Sequence, residues 1–254
     1  MTADVVVAVY WGSITFGPSP YYLKEIDGLD FPTMRSGDTP KPRDNGELIG
    51  YDFMPGRDIT LKFDVIDPAD NMGALNQSMI PTLNVEHQLS FIVPGMGTPV
   101  AGVFPTLYAG VRPRSMSWKV DVVYSLGKLV QDLQALWHAT DPNFYEVTDG
   151  VLYEGDSPYT ITNKGTVPCK PIVTFYGPAS NPFIEHAETG AGIRLKHELA
   201  EGESVRVHFG KKHPLGRQRV SHSLRNVLLL RPGDNDLHCG GATRVKIGRV
   251  SAWL

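Results

Sequence analysis

The sequence predicts a mainly β protein, in which an α+β N-terminal domain with one docked amphipathic helix precedes an antiparallel β-sandwich. Twenty-six Gly and twenty Pro favour β structure, because both residues break helices and punctuate strands. Several segments alternate apolar and polar residues, which is the period of a strand with one buried face. One segment, 126–137, instead places its apolar residues at helical spacing.

The predicted strands follow one another along the chain. A valine-rich run at 4–10 has the β-branched side chains that pack well on a sheet. The continuous run 227–230, closed by Arg231-Pro232-Gly233, predicts a central strand that ends in a turn. The alternating strands are Ile59, Leu61, Phe63 and Val65; Met116, Trp118, Val120 and Val122; Val205, Val207 and Phe209; and Val245 and Ile247.

Two helices are predicted, one strong and one weak. Ser125 is the expected N-cap of the strong helix, and Asp141-Pro142 prevents it from continuing beyond Thr140. A weaker helical pattern around Met72, Leu75 and Met79 predicts a short crossover element. The apolar face of the strong helix comprises Leu126, Leu129, Val130, Leu133, Leu136 and Trp137.

Two connections organise the chain. Residues 27–58 are dense in Gly, Pro and charge and are too long for a plain turn, so they are either partly disordered or a contact surface in an assembly. Residues 141–150 separate the predicted helix from an all-β remainder. We therefore expect an N-terminal domain at 1–147 and a C-terminal domain at 148–254.

Composition narrows the function classes. A net charge of −3 disfavours nucleic acid as the principal partner, and sequence-specific contact with it is not expected. No apolar stretch is long enough to span a bilayer, and the first residues lack the basic start of a secretory signal. Cys169 and Cys239 are the two cysteines, which favours a reducing compartment and assembly in a cytoplasm.

Motifs for catalysis or metal binding are incomplete. The segment 197–201 resembles a zinc-protease helix, but Glu201 stands where the second histidine is needed. Asp234-Asn235-Asp236 starts like a calcium loop, yet Cys239 occupies the position of the turn glycine. His208 and His213 flank two lysines and lack a third ligand. We therefore predict no catalytic, cofactor-binding or metal-binding residues, no cofactor and no enzyme activity.

A short basic run lies in the C-terminal half of the chain. Such a run predicts a solvated hairpin tip, and its functional alternative is an electrostatic contact with an acidic neighbour in an assembly. The run consists of Lys211, Lys212, Arg217 and Arg219.

An ordered series of motifs resembles the distal tail proteins of siphophages. Residues 159–177, with Asn163 and Gly165 followed by Pro168 and Pro171, are similar to the first strands of that family's C-terminal domain. The later motifs are Gly190–Phe209 with Leu195, Leu199 and Gly202-Glu203; the turn Leu230–Asn235; and the last strand Val250–Trp253. The N-terminal motifs are Gly56–Leu61 and Trp137–Pro142.

This resemblance implies a non-enzymatic structural protein of the tail tip in the virion. The family forms homohexameric rings that continue the tail tube, with galectin-like C-terminal domains projecting outward. The implied partners are the tail tube protein, the tape-measure protein, the tail hub and side-fibre or receptor-binding proteins. In this interpretation Ile59–Val65 belongs to the inner barrel, and residues 27–58 form an inter-subunit arm.

Two alternatives remain open at the level of sequence. A carbohydrate-binding β-sandwich protein in host receptor recognition would need an exposed aromatic residue, whereas Trp118, Trp137 and Trp253 are expected in the core. A glycan hydrolase would need two carboxylates facing each other across a cleft, roughly 5–10 Å apart.

Overall fold

The computed structural model describes residues 7–80, 85–97, 104–119, 129–155, 158–211, 213–216, 218 and 220–254. The chain divides into two compact units, one of residues 1–96, 106–144 and 254, and the other of residues 97–105 and 145–253. Strands dominate both units, so the prediction of a mainly β protein is confirmed.

The strands of the first unit close on themselves around a core. Strands β8, β7, β1, β2, β3, β6 and β9 neighbour one another in that order, and β9 pairs again with β8. The elements are β1 (Ala8–Trp11), β2 (Ile14–Phe16), β3 (Tyr21–Asp27), β4 (Thr39–Pro40), β5 (Glu47–Leu48), β6 (Arg57–Ile66), α1 (Pro68–Met79), β7 (His87–Ile92), β8 (Leu107–Lys119) and β9 (Leu129–Ala139). Strand β10 (Phe144–Glu146) has only its first residue in this unit.

Strand β6 confirms the alternation predicted from the sequence. Ile59, Leu61, Phe63 and Val65 are buried, whereas the residues between them are partly exposed. Phe63 meets Phe16 edge-on, with ring centroids 4.7 Å apart, within an aromatic cluster at the centre of the unit. The other members of this cluster are Trp11, Tyr21 and Trp137.

The helix predicted at 126–137 is wrong, because its described part, residues 129–137, lies in β9. A bulge between Val130 and Leu133 places two buried side chains three residues apart, and Asp132 within it has a φ of 54°. Leu133 and Trp137 are four residues apart, which is two full periods of a strand. Spacings of three and four therefore imitate a helix. Ser125 and Leu126 lie outside the described residues.

The weaker helical pattern does form a helix, which is α1. Leu75 and Met79 are buried on its inner face. Asn71 links the first turn of the helix to the strands. Its side-chain amide donates to Ile66 O (2.7 Å), and its backbone carbonyl accepts from the Tyr21 hydroxyl (2.8 Å). The docked helix of the first unit is thus this short crossover element.

The strands predicted at 4–10 and at 116–122 are confirmed in part. The valine-rich run leads into β1, but residues before Val7 lie outside the described residues. Strand β8 contains Met116 and Trp118, whereas Val120 and Val122 lie beyond its last described residue.

The second unit is built on two long antiparallel strands. Strand β13 pairs with β18 along most of its length, and the sheet has the order β11, β18, β13, β14, β17. The elements are β11 (Val151–Glu154), β12 (Tyr159–Asn163), β13 (Ile172–His186), β14 (Gly192–Lys196), β15 (Glu198–Leu199), β16 (Ser204–His208), β17 (Ser221–Asn226), β18 (Gly233–Gly248) and β19 (Ala252–Trp253).

Two of the strands predicted for this unit are confirmed, and one is wrong. Val205, Val207 and Phe209 are buried in and beside β16, and Val245 and Ile247 are buried in β18. The run 227–230 is instead an extended segment with one bridge, between Leu230 and Cys169. It cannot be central, because β13 and β18 occupy the centre of the sheet and alternate residues of the run are exposed.

Candidate functional site

Residues 28–56 form a projecting two-stranded arm between β3 and β6. Arg35 and Phe53 exchange backbone hydrogen bonds (2.9 and 3.0 Å), and β4 pairs with β5 nearer the tip. A Cβ on Gly50 would overlap the backbone of Gly37, so the two sides of the arm can approach this closely only with glycine at position 50. The Gly50 N–H donates to Asp38 Oδ1 (2.7 Å), and this bond and Ser36 lower the pKa of Asp38.

The arm exposes large apolar side chains. Because these side chains stay largely exposed in the subunit, they contribute little to its folding. Its three aromatic rings alone expose roughly 400 Å² at ~200 Å² per side chain, which is comparable to the whole apolar patch of a typical monomer. The arm therefore has the composition of an interface. The exposed fractions are 63% for Phe31, 53% for Leu48, 96% for Ile49, 84% for Tyr51, 54% for Phe53 and 38% for Met54.

The root of the arm is held firmly against the first unit. Arg57 is 4% exposed, and its Nη1 donates to the carbonyls of Gly28 (3.3 Å) and Asp30 (3.2 Å). Its guanidinium stacks on the Phe144 ring at 4.1 Å. Burial lowers the pKa of Arg57, and Asp30 and Asp141 oppose this effect. The Gly56-Arg57 motif thus fixes where the arm leaves the sheet.

In the second unit, Asn163 joins three separate parts of the chain. The side chain is 2% exposed, and its Nδ2 donates to Val167 O (2.9 Å) and Leu230 O (3.0 Å). Its Oδ1 accepts from the backbone N–H groups of Gly165 (2.9 Å) and Ala252 (3.3 Å). A Cβ on Gly165 would overlap the carbonyl of Ala252. The Asn-x-Gly motif is therefore a structural junction between β12 and β19.

Asn235 stabilises the turn motif Leu230–Asn235 in the same way, through its buried side-chain amide. It is 2% exposed, its Oδ1 accepts from Arg231 N (2.8 Å), and its Nδ2 donates to the carbonyls of Arg231 (2.8 Å) and Gly233 (2.9 Å). The turn between Leu230 and β18 is thus fixed by one buried amide.

The incomplete motifs for metal chemistry have structural roles. The segment 197–201 contains β15 rather than a helix, and Glu198 accepts from the Ser180 hydroxyl (2.7 Å). Asp234 and Asp236 lie in β18 and accept from hydroxyls of β12 at 2.6 and 2.7 Å. Within the described ranges, no group of three or more His, Cys, Asp or Glu side chains could hold a metal ion.

Two of the three tryptophans considered as sugar platforms are buried in the structure. Trp137 and Trp253 are buried, and the side chain of Trp118 lies outside what the structure describes. A pocket of about 550 Å³ in the second unit includes Ser180, Glu198 and Thr243, and none of its lining residues is aromatic. No described helix is long and apolar enough to cross a bilayer.

His208 is a half-buried neutral imidazole in a cationic environment. Burial and the neighbouring Arg249, Lys211 and Arg206 lower its pKa from 6.5 to about 4, and its Nδ1 has no partner among the described residues. The unfolded chain therefore binds a proton more readily between these two pH values. The stability that neutral His208 contributes is present above pH 6.5 and is lost as the pH falls towards 4.

Because the ring is only half-buried and solvent screens part of the effect, we expect this linkage to remove about 1–2 kcal/mol of stability between pH 7 and pH 4. The check is the urea midpoint at both pH values for the natural chain and for His208→Gln, which cannot titrate there. A smaller acid-induced loss in the variant is the expected result. An equal loss in both proteins would contradict it.

Comparisons with known proteins agree with this architecture. Residues 164–249 match the family model described as "Siphovirus-type tail component, C-terminal domain". Asn235, Gly165 and the β13–β18 pair lie within the matched range. No curated protein sequence matches the chain.

Solved structures extend the likeness to nearly the whole chain. One similar structure is the crystal structure of SPP1 Dit, described as a paradigm of the hub adsorption apparatus in phages that infect Gram-positive bacteria. The TM-score is 0.61 and the sequence identity 12%, and the alignment covers 95% of this chain and 98% of SPP1 Dit. A chain of the phage p2 baseplate in its activated conformation with Sr is similar with a TM-score of 0.58 and 7% identity, covering 95% and 96%. At these identities the likeness concerns the fold. The resemblance predicted from the sequence is confirmed: residues 164–249 match the siphovirus-type tail component C-terminal domain, and the chain shares the fold of SPP1 Dit.

Proposed function

We propose that this chain is a structural protein of the distal tail or baseplate hub of a siphophage and that it is not an enzyme. The observation that carries the proposal is the match of residues 164–249 to the tail component family, on a chain that has the Dit fold over 95% of its length. The exposed arm supports it, because a surface of this composition is suited to assembly.

The assembly we propose is a homohexameric ring. In it, residues 1–147 form the ring around a channel, and residues 148–254 form a galectin-like domain that projects outward. The arm is the inter-subunit contact, and its apolar side chains are covered by the next copy. A head-to-tail contact between different surfaces of one chain closes into a ring when the rotation per subunit fits a whole turn.

The proposed place of the ring is the virion tail tip, reached after assembly in the host cytoplasm. One face meets the tail tube or the tape-measure protein, and the other meets the tail hub. The projecting domains carry side fibres or receptor-binding proteins. These partners follow from the family resemblance, and no membrane or sequence-specific nucleic acid contact is part of the proposal.

Location in the particle tests this proposal. Gold-labelled antibodies raised against the second unit should bind purified virions at the end of the tail distal to the capsid. Antibodies against a capsid protein of the same phage provide the positional control. Label along the whole tail or on the capsid would contradict a role at the tail tip.

A further inference from the structure

Positive charge is concentrated in one part of the second unit. Residues 204–233 contain seven of the chain's 24 basic residues and none of its 27 acidic residues, although the whole chain has a net charge of −3. The remaining 17 basic residues are therefore outnumbered by 27 acidic ones. The seven cations are Arg206, Lys211, Lys212, Arg217, Arg219, Arg225 and Arg231.

Strand β17 lies within this basic segment and at the edge of its sheet. It is the last strand in the sheet order, and among the described residues only β14 pairs with it. Every side chain of β17 is exposed, so neither of its faces is covered. Leu224 is 39% exposed, and the extended chain that follows exposes Val227 and Leu229 by 40% each. The strand therefore presents both backbone and apolar surface for a further strand.

A small polar pocket adjoins the same strand. It has a volume of about 180 Å³ and is lined by Arg194, Arg225, Ser223 and Glu185, together with two glycines and an isoleucine. Ser223 and Arg194 are directly opposite each other in the β14–β17 ladder. The Arg194 guanidinium is held over the Phe183 ring at 4.1 Å. Two guanidinium groups face one carboxylate, which leaves a positive charge suited to an acidic side chain.

We propose that the β17 edge binds an extended, acidic segment of another protein by strand addition. The unpaired edge supplies backbone hydrogen bonds, and the cations select the charge of the added strand. Like charges directly opposite each other are unfavourable, so the same cations disfavour pairing between two copies of β17. A polyanion such as nucleic acid would use the cations but neither the backbone edge nor Leu224. The proposal concerns recognition by the second unit and does not depend on ring formation.

The test uses the full chain and a labelled, N-acetylated ten-residue peptide of alternating Glu and Val. We expect binding in fluorescence anisotropy, and Arg194→Glu with Arg225→Glu should weaken it by about tenfold or more. The matched control is Arg244→Glu with Lys246→Glu, which makes the same charge change on β18, three strands away. Thermal melts of both variants show whether each remains folded.

One further peptide and a short single-stranded DNA separate strand addition from charge alone. A peptide of the same sequence with every backbone nitrogen methylated keeps its carboxylates but cannot donate a backbone hydrogen bond from either edge, and we expect it not to bind. Equal binding of this peptide, or equal weakening by the two double variants, would overturn the proposal. Displacement of the acidic peptide by a short single-stranded DNA at equal concentration would also overturn it, in favour of a general polyanion surface. Ring formation by both variants is measured separately. A failure of peptide binding can then be told apart from a failure of the proposed function.

Discussion

We expect Asn163→Ala to lower the free energy of unfolding by about 3–5 kcal/mol, a large loss for the truncation of one polar side chain. The buried amide serves four backbone groups, on Val167, Leu230, Gly165 and Ala252. Alanine would remove this partner from Val167, Gly165 and Ala252, whereas Leu230 O keeps its bond from the Cys169 N–H (2.9 Å). A buried group without a partner costs more than the hydrogen bond contributed.

Guanidinium-induced unfolding of the natural chain and the variant measures this loss. Asn226→Ala is the matched control, because Asn226 is exposed on β17 and its truncation should change stability by less than about 0.5 kcal/mol. A loss below about 1 kcal/mol for Asn163→Ala would contradict the junction role, since it would mean that water satisfies these groups equally well.

The second large effect concerns the arm. Ile49→Asp combined with Tyr51→Asp should leave the subunit folded, because both side chains are almost fully exposed. If the next copy covers them, the change removes about 2 kcal/mol of apolar burial per residue and adds two carboxylates to the interface. The association constant of each contact should then fall on the order of 1,000-fold.

Sedimentation velocity at several protein concentrations measures this fall in the association constant. Val151→Asp with Leu152→Asp is the control, because it makes the same exchange at exposed apolar positions of the second unit. Only the arm variant should lose assembly. Assemblies of unchanged size and affinity in the arm variant would exclude the arm as the inter-subunit contact.

Local patterns predict those elements whose periodicity is regular. Strand β6 alternates without interruption in its buried residues, and β16 and β18 do so where the sequence shows it. The apolar residues of strand β9 fall at helical spacing because the bulge at Asp132 interrupts the two-residue alternation of a strand. A search of the sequence for that alternation does not reveal the bulge. That bulge is stabilised from β6, where Asp64 accepts from the Asp132 N–H (2.9 Å). A contact across 68 residues cannot be inferred from the neighbours of Asp132.

The candidate site is predictable from the sequence only in outline. The composition of residues 27–58 indicates a contact surface or a disordered stretch, but the pairing of β4 with β5 has too few residues to show a pattern. Apolar residues at 48, 49, 51, 53 and 54 are visible in the sequence, yet only the structure shows that nothing described in the subunit buries them. Asn163 has the sequence context of a turn residue, whereas its bonds to Leu230 and Ala252 depend on the fold of the whole second unit.

The native mass of the purified chain, paired with negative-stain images, tests the central claim most directly. The proposal predicts an assembly of six copies of the 27.9 kDa chain, seen as a six-fold ring with a central hole. A monomer that persists at concentrations well above micromolar, with no ring even when the tail tube protein is added, would contradict it.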